Sequence, residues 1–144
     1  MLAPSETDPT NDEVRTALDR VCASEELRSS PQLMAFLRFV VDATLRGESH
    51  LIKAYTIAVQ ALGRDAAFDA TTDPIVRVQA GRLRRALERY YAGPGAADSI
   101  LIYIPLGHYV PEFRWRQIHA KHSALVADLL RNWRNPSQLF STNR

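Results

Sequence analysis

A single cysteine, Cys22, excludes a disulfide within the chain and any zinc site built on several thiolates. Its apolar neighbours Leu18 and Val21 suit a buried thiol better than a reactive one. The sequence also lacks any run near the ~18 apolar residues that span a bilayer, and "MLAPSETDPTNDE" offers neither a basic nor an apolar leader segment. A reducing, cytoplasmic setting without a membrane partner is therefore expected. Neither sign of charge dominates: 18 Lys and Arg oppose 16 Asp and Glu, and the net charge of +2 by itself argues for no partner. Catalytic signatures are missing as well. No nucleophile elbow appears, and no glycine-rich loop opens a helix after a strand. His119 and His122 stand three apart without a flanking Glu or Cys, so no metal site, no cofactor and no enzyme is expected.

What remains is hydrophobic periodicity, in a chain of 144 residues that is long enough for one ordinary core. Residues 1–10 are polar and proline-bearing and read as a disordered lead. Thr10 followed by Glu13 is a capping box, and Val14, Ala17, Leu18 and Val21 then recur at helical spacing, which predicts a helix over Asn11 to Ala23. A second helix has Ser30 as its cap, Pro31 at its first position and Gly47 beyond its end; its buried stripe is Leu33, Phe36, Leu37, Val40, Val41 and Thr44. A third runs through "ESHLIKAYTIAVQALG", with Ser49 as cap, Ile52, Tyr55, Val59 and Leu62 inward and Gly63 as the stop. In the loop that follows, Phe68 is expected to dip into the core.

The fourth helix, "TDPIVRVQAGRLRRALERYY", is capped by Thr72 or Asp73 and opened by Pro74. On a wheel of 100° per residue Val76, Ala80, Leu83, Leu87 and Tyr90 fall within about 80° of arc. Five arginines occupy the rest, interrupted only by Glu88. A solvated face is the usual meaning of a charge run, but it favours mixed signs, because like charges three and four residues apart repel. An arginine face instead offers planar forks to phosphates and to guanine edges. Gly81 lies in the outward sector at a helical cost of roughly 1 kcal/mol against Ala. Its missing side chain would let a nucleic-acid surface approach the helix backbone.

After "AGPGAAD" the period changes. "SILIYIPLGHYVPEFRW" alternates Ile100, Ile102 and Ile104 with Leu101 and Tyr103, breaks at "PLG" and predicts a hairpin with Pro105 and Pro111 at the strand margins. Tyr103, Tyr109 and Phe113 read as core rather than as base-stacking residues. From Trp115 a helical period returns through Ile118, His122, Leu125, Leu129 and Trp133. This stripe fits either packing onto its own domain or pairing with a second subunit, and a homodimer is carried as the expectation.

The fold class is thus mainly α with a small β-hairpin. The run "VRVQAGRLRRALERYY", a short linker and "ILIYIPLGHYVPEF" resemble the end of the winged-helix effector domain of OmpR-like response regulators. "TLRGESHLIKAYTIAVQALGRDAAFDATTDPIVRVQAGRLRRALERYYAG" is more similar still to a module at the N-terminus of bacterial multidomain proteins with tetratricopeptide or adenylate-cyclase-type regions. The resemblance implies a winged helix-turn-helix over residues 11–114, with extra N-terminal and C-terminal helices, the latter in 115–144. It implies a transcriptional regulator that binds double-stranded DNA. Arg77, Val78, Gly81, Arg82 and Arg85 would face the major groove, Arg84 and Arg89 would hold phosphates, and His108 at the wing tip would reach an adjacent phosphate or minor groove. The rival reading is a helical protein-interaction module, an adaptor or anti-activator whose arginine face meets an acidic partner. A third possibility keeps the chain as a fragment of a larger protein, with chemistry elsewhere.

Overall fold

The computed structural model describes residues 8–116, and these form five α-helices and one two-stranded sheet. The expected disorder of the first residues, up to position 7, lies outside them. So do the apolar stripe from Ile118 to Trp133 and the His119 and His122 pair.

Helix α1, Asn11–Ala23, begins with the capping box read from the sequence. Thr10 Oγ1 accepts from the Glu13 N–H at 3.2 Å, and Glu13 Oε1 accepts from the Thr10 N–H at 2.8 Å. Cys22 is buried on its inner face, and burial pushes the thiol up from its ordinary value. A one-turn helix, α2 (Glu25–Arg28), then delivers Leu27 to the core with no exposure at all. It is too short for a periodicity argument to find. Helix α3, Pro31–Leu45, starts as expected, with Ser30 Oγ accepting from the Leu33 N–H. Along its stripe Ala43 is buried, whereas Thr44 is half-buried and turns its hydroxyl back onto the Val40 carbonyl. Gly47 and Gly63 stop the second and third helical segments with φ of +76° and +75°, the left-handed geometry that releases the chain from a helix.

The third segment departs from the expectation. Ser49 caps nothing: it opens a single 3-10 turn, Ser49–Leu51, and the chain is extended at Ile52 and Lys53 before α4, Ala54–Gln60, begins. The break shifts the helical register, so Ile57 and Ala58 face inward, Val59 is half-buried and Tyr55 is exposed. Tyr55 instead donates its hydroxyl to the Ala66 carbonyl and ties down the following loop.

Helix α5, Ile75–Ala92, is the centre of the molecule and packs against α2, α3, α4 and the first strand. Pro74 stands just before it, and Asp73 Oδ1 accepts from the Ile75 N–H at 3.0 Å. Besides the five expected residues it buries Gln79, Ala86 and Tyr91. The buried arc is therefore about 140° wide rather than about 80°, because several elements, not one, cover the helix.

Strands β1, Ile100–Tyr103, and β2, Glu112–Trp115, pair antiparallel from Ile100 with Trp115 to Tyr103 with Glu112. Trp115 thus ends the sheet: its pairing with Ile100 holds it in the strand rather than at the start of a helix. All four β1 residues are buried, so the expected alternation is absent, and Ile102 receives its backbone tie from α5 through the Tyr91 hydroxyl, which accepts from the Ile102 N–H at 2.8 Å. Arg116 continues the ladder side with its N–H on Ser99 and its guanidinium on the carbonyls of Gly95 and Ala96, which clamps the linker between α5 and β1. Tyr109 meets Phe36 edge to face with ring centres 6.1 Å apart, and Phe113 packs on the core, as expected of both.

At the loop end of the hairpin the Tyr103 hydroxyl donates to Glu112 Oε1 at 2.7 Å, and Arg114 also donates to that carboxylate. The Tyr103 bond, with help from Arg114, holds Glu112 below its ordinary value of 4.5. Burial, reinforced by Glu112, raises Tyr103 to about 12. A depressed carboxylate stabilises the fold above its unfolded pKa and loses that contribution as pH falls through the folded value. A raised phenol stabilises below about pH 10 and loses its contribution as pH climbs toward the folded value. Tyr103→Phe should therefore lower the melting temperature most between these limits. The gap to the wild-type protein, followed by thermal melts against pH, should narrow in acid and above about pH 10.

Candidate nucleic-acid interface

The outer strip of α5 is what its neighbours leave uncovered. Arg77, Val78, Arg82, Arg85 and Arg89 are exposed on it, and Gly81 is partly exposed among them. Arg77 and Arg85 lie two turns apart, about 12 Å along the axis. Neither has a hydrogen bond or ion pair among the described residues. Val78, 44% exposed, supplies the apolar contact between them. Gly81 forms a shallow notch: a Cβ placed there would meet only the Arg85 guanidinium, at 3.7 Å. That is ordinary contact, so the fold does not require a glycine at this position.

The other arginines are committed. Arg84 is half-buried and gives up its guanidinium to the hairpin connection. Its Nε donates to the Ile104 carbonyl at 2.9 Å, and its Nη2 donates to the carbonyls of Pro105 and His108, both at 3.0 Å. Burial lowers its pKa from the ordinary value, with Tyr109 opposing, although an arginine so bonded stays charged. Arg84, expected to hold a phosphate, is bonded in this structure to the carbonyls of the loop 104–111. The sequence could not separate it from its neighbours, because carbonyls leave no mark on a charge pattern. Arg89 makes an ion pair with Glu26 of α2 at 2.8 Å and remains 59% exposed at its side chain. Arg82 donates to Gln79 Oε1 at 3.2 Å.

The hairpin loop, residues 104–111, carries Leu106, Gly107 and His108 at its exposed tip. The His108 Nδ1 accepts from the Val110 N–H at 3.3 Å, so the ring lies back along the loop. On the opposite side, the loop before α5 is acidic. Asp69 accepts from the Thr71 N–H and hydroxyl, and Asp73 pairs with Arg64 at 3.6 Å. A depression of about 250 Å³ there is lined by Asp65, Asp69 and Asp73 with Arg64, and no group of three metal-ligating side chains exists among the described residues. These carboxylates flank the first turn of α5, where Arg77 stands, and Arg82, Arg85 and Arg89 follow along the exposed strip.

Arg84→Met keeps the aliphatic stem and removes the three carbonyl contacts. It should cost about 1.5–3 kcal/mol of stability, and amide hydrogen exchange should accelerate selectively across residues 104–111. No family model, no curated protein and no solved structure matches this chain.

Proposed function

We propose that this protein binds double-stranded DNA and regulates transcription, presenting the middle of α5 to the major groove and the loop 104–111 to the flanking backbone. The observation that carries the reading is the exposed, unpartnered pair Arg77 and Arg85 astride Gly81, on a helix whose next turn fixes the wing through Arg84. Guanidinium forks without an internal acid to satisfy them suit phosphate oxygens and guanine O6 and N7. The order α4, α5, hairpin supports this reading, in which α5 would be the groove-reading helix of a winged helix-turn-helix. The 14 residues 61–74 between the two helices make a connection longer than a tight helix-turn-helix turn.

Among the groove-facing set are Arg77, Val78, Gly81, Arg82 and Arg85; Arg89 keeps a phosphate role in competition with Glu26, and His108 reaches backbone from the wing tip. The reading carries no cofactor and a cytoplasmic setting; no described helix is long and apolar enough to cross a membrane. The homodimer is retained as part of the proposal. The second reading, an arginine face docked on an acidic protein, draws on the exposed Val78 and Leu106 near that face.

Salt separates the two at once. Duplex affinity should fall steeply between about 50 and 200 mM salt, since log K drops about 0.9 per phosphate neutralised. Arg85→Ala should cost about 1–3 kcal/mol on a preferred duplex and relax its preference, whereas Arg89→Ala should weaken all duplexes alike. Absence of duplex binding at about 50 mM salt would move the face to a protein partner.

Gly81 gives an independent check. Gly81→Ala should raise stability by roughly 0.5–1 kcal/mol. Gly81→Leu should stay folded, because the position lies on the outward strip and a Cβ there meets only the flexible Arg85 guanidinium, yet lose duplex binding. Retained affinity in a folded Gly81→Leu protein would sink this docking geometry.

A further inference from the structure

Among the described residues, Gln79 is the one buried polar side chain, 4% exposed. It stands at the margin of the buried arc of α5, where Leu or Met would fill the same space and leave no amide to satisfy. Both ends of its amide are in use. Nε2 donates to Gln32 Oε1 at 2.7 Å, across to the first turn of α3, and Oε1 accepts from Arg82 Nη1 at 3.2 Å. Gln32 is exposed in the first turn of α3, and Arg82 is exposed on the outer strip of α5. A chain of hydrogen bonds therefore runs from the start of α3, through the edge of the core, to one guanidinium on the reading face.

That connection distinguishes Arg82 from Arg77 and Arg85, which no described residue holds. A free arginine samples many rotamers, and a contact with a base must order it at an entropic cost. An arginine with one donor already fixed presents its other donors in a set direction. The fixing point is itself rigid, because Gln79 is packed in the core and Gln32 holds its amide in one orientation. Such a buried polar network gives directional specificity that an apolar residue at the same position would lack.

We propose that Gln79 is a positioning residue that orients Arg82 for discrimination between base pairs, with Gln32 as its anchor. This inference rests on the DNA-binding reading above and adds a difference between its base-contacting arginines: Arg82 is held in one direction before the duplex arrives, whereas Arg77 and Arg85 are ordered only on contact. A merely structural tie between α3 and α5 would make a different prediction: its loss would lower stability and leave the preference between duplexes unchanged.

The test uses the full chain and two duplexes, one selected by the wild-type protein from a random-sequence pool and one of the same composition scrambled. Gln79→Met should retain a cooperative melt and bind the scrambled duplex within about twofold of wild type, while losing about tenfold of the preference ratio. Arg82→Ala should lose at least as much, and the double variant no more than Arg82→Ala alone, since the two act as one unit. Gln32→Met cuts the same chain from the exposed end and should lower the ratio in the same direction if Gln79→Met folds poorly. An unchanged ratio in a folded Gln79→Met protein, or additive losses in the double variant, would overturn the relay. Arginine side-chain nitrogen NMR supplies a readout that needs no DNA: rotation of the Arg82 guanidinium should be slow in the wild type and fast in Gln79→Met. If the wild type binds no duplex, the DNA reading and the base-selecting role fall together, while this spectrum still decides whether Gln79 positions Arg82. Equal Arg82 mobility in both proteins would overturn that as well.

Discussion

Helix α5 has to bury one side against four elements and still leave a continuous strip uncovered, and the rest of the structure is arranged around that division. α3 and α4 take part of its inner arc, α2 covers the side that carries Ala86 and Arg89, and β1 takes the flank of Tyr91. Each neighbour arrives by its own device. The one-turn α2 exists to seat Leu27, and the extended break at Ile52 and Lys53 lets α4 turn Ile57 and Ala58 inward. Burial of the apolar side chains supplies the driving force, at roughly 25 cal/mol per Å² removed from water. The uncovered strip is a remainder of that packing.

The hairpin raises a second requirement. Residues 104–111 leave the ladder, so their carbonyls lose strand partners, and a loop with unsatisfied carbonyls beside the core would be unfavourable. Arg84 answers three of them from one side chain. In doing so it ties the loop directly to α5. The linker between them is held just as firmly, by the Tyr90 hydroxyl on Asp98 and by Arg116 stacked over Tyr91 at 5.8 Å. Helix, linker and hairpin are thus tied together by side-chain bonds from α5 and from Arg116.

Charge acquires meaning only on that frame. Five arginines on one helix divide into an anchor (Arg84), an ion-paired residue (Arg89), an oriented residue (Arg82) and two that face solvent without partners (Arg77 and Arg85).

The sequence by itself determined the boundaries of α1 and α3, the apolar stripe of α5, the stops at Gly47 and Gly63 and the existence of the hairpin. Those features depend on local chemistry: capping side chains, glycine's left-handed φ and the periods of helix and strand. The mainly helical class with a small antiparallel sheet followed from the same signals. The outward arginine strip was legible too, since the wheel needs only the helix and its apolar side. Tertiary structure alone decided the rest. Leu27 is buried because α3 and α5 close over a turn too short to have a period, Tyr55 is exposed because a break two residues earlier resets its helix, and Trp115 is a strand residue because Ile100 pairs with it. The tasks of Arg84 and Gln79 depend on carbonyls 20 to 24 residues away and an amide 47 residues away. Contacts between groups so distant in the chain are fixed by how the elements pack, and no local pattern records them.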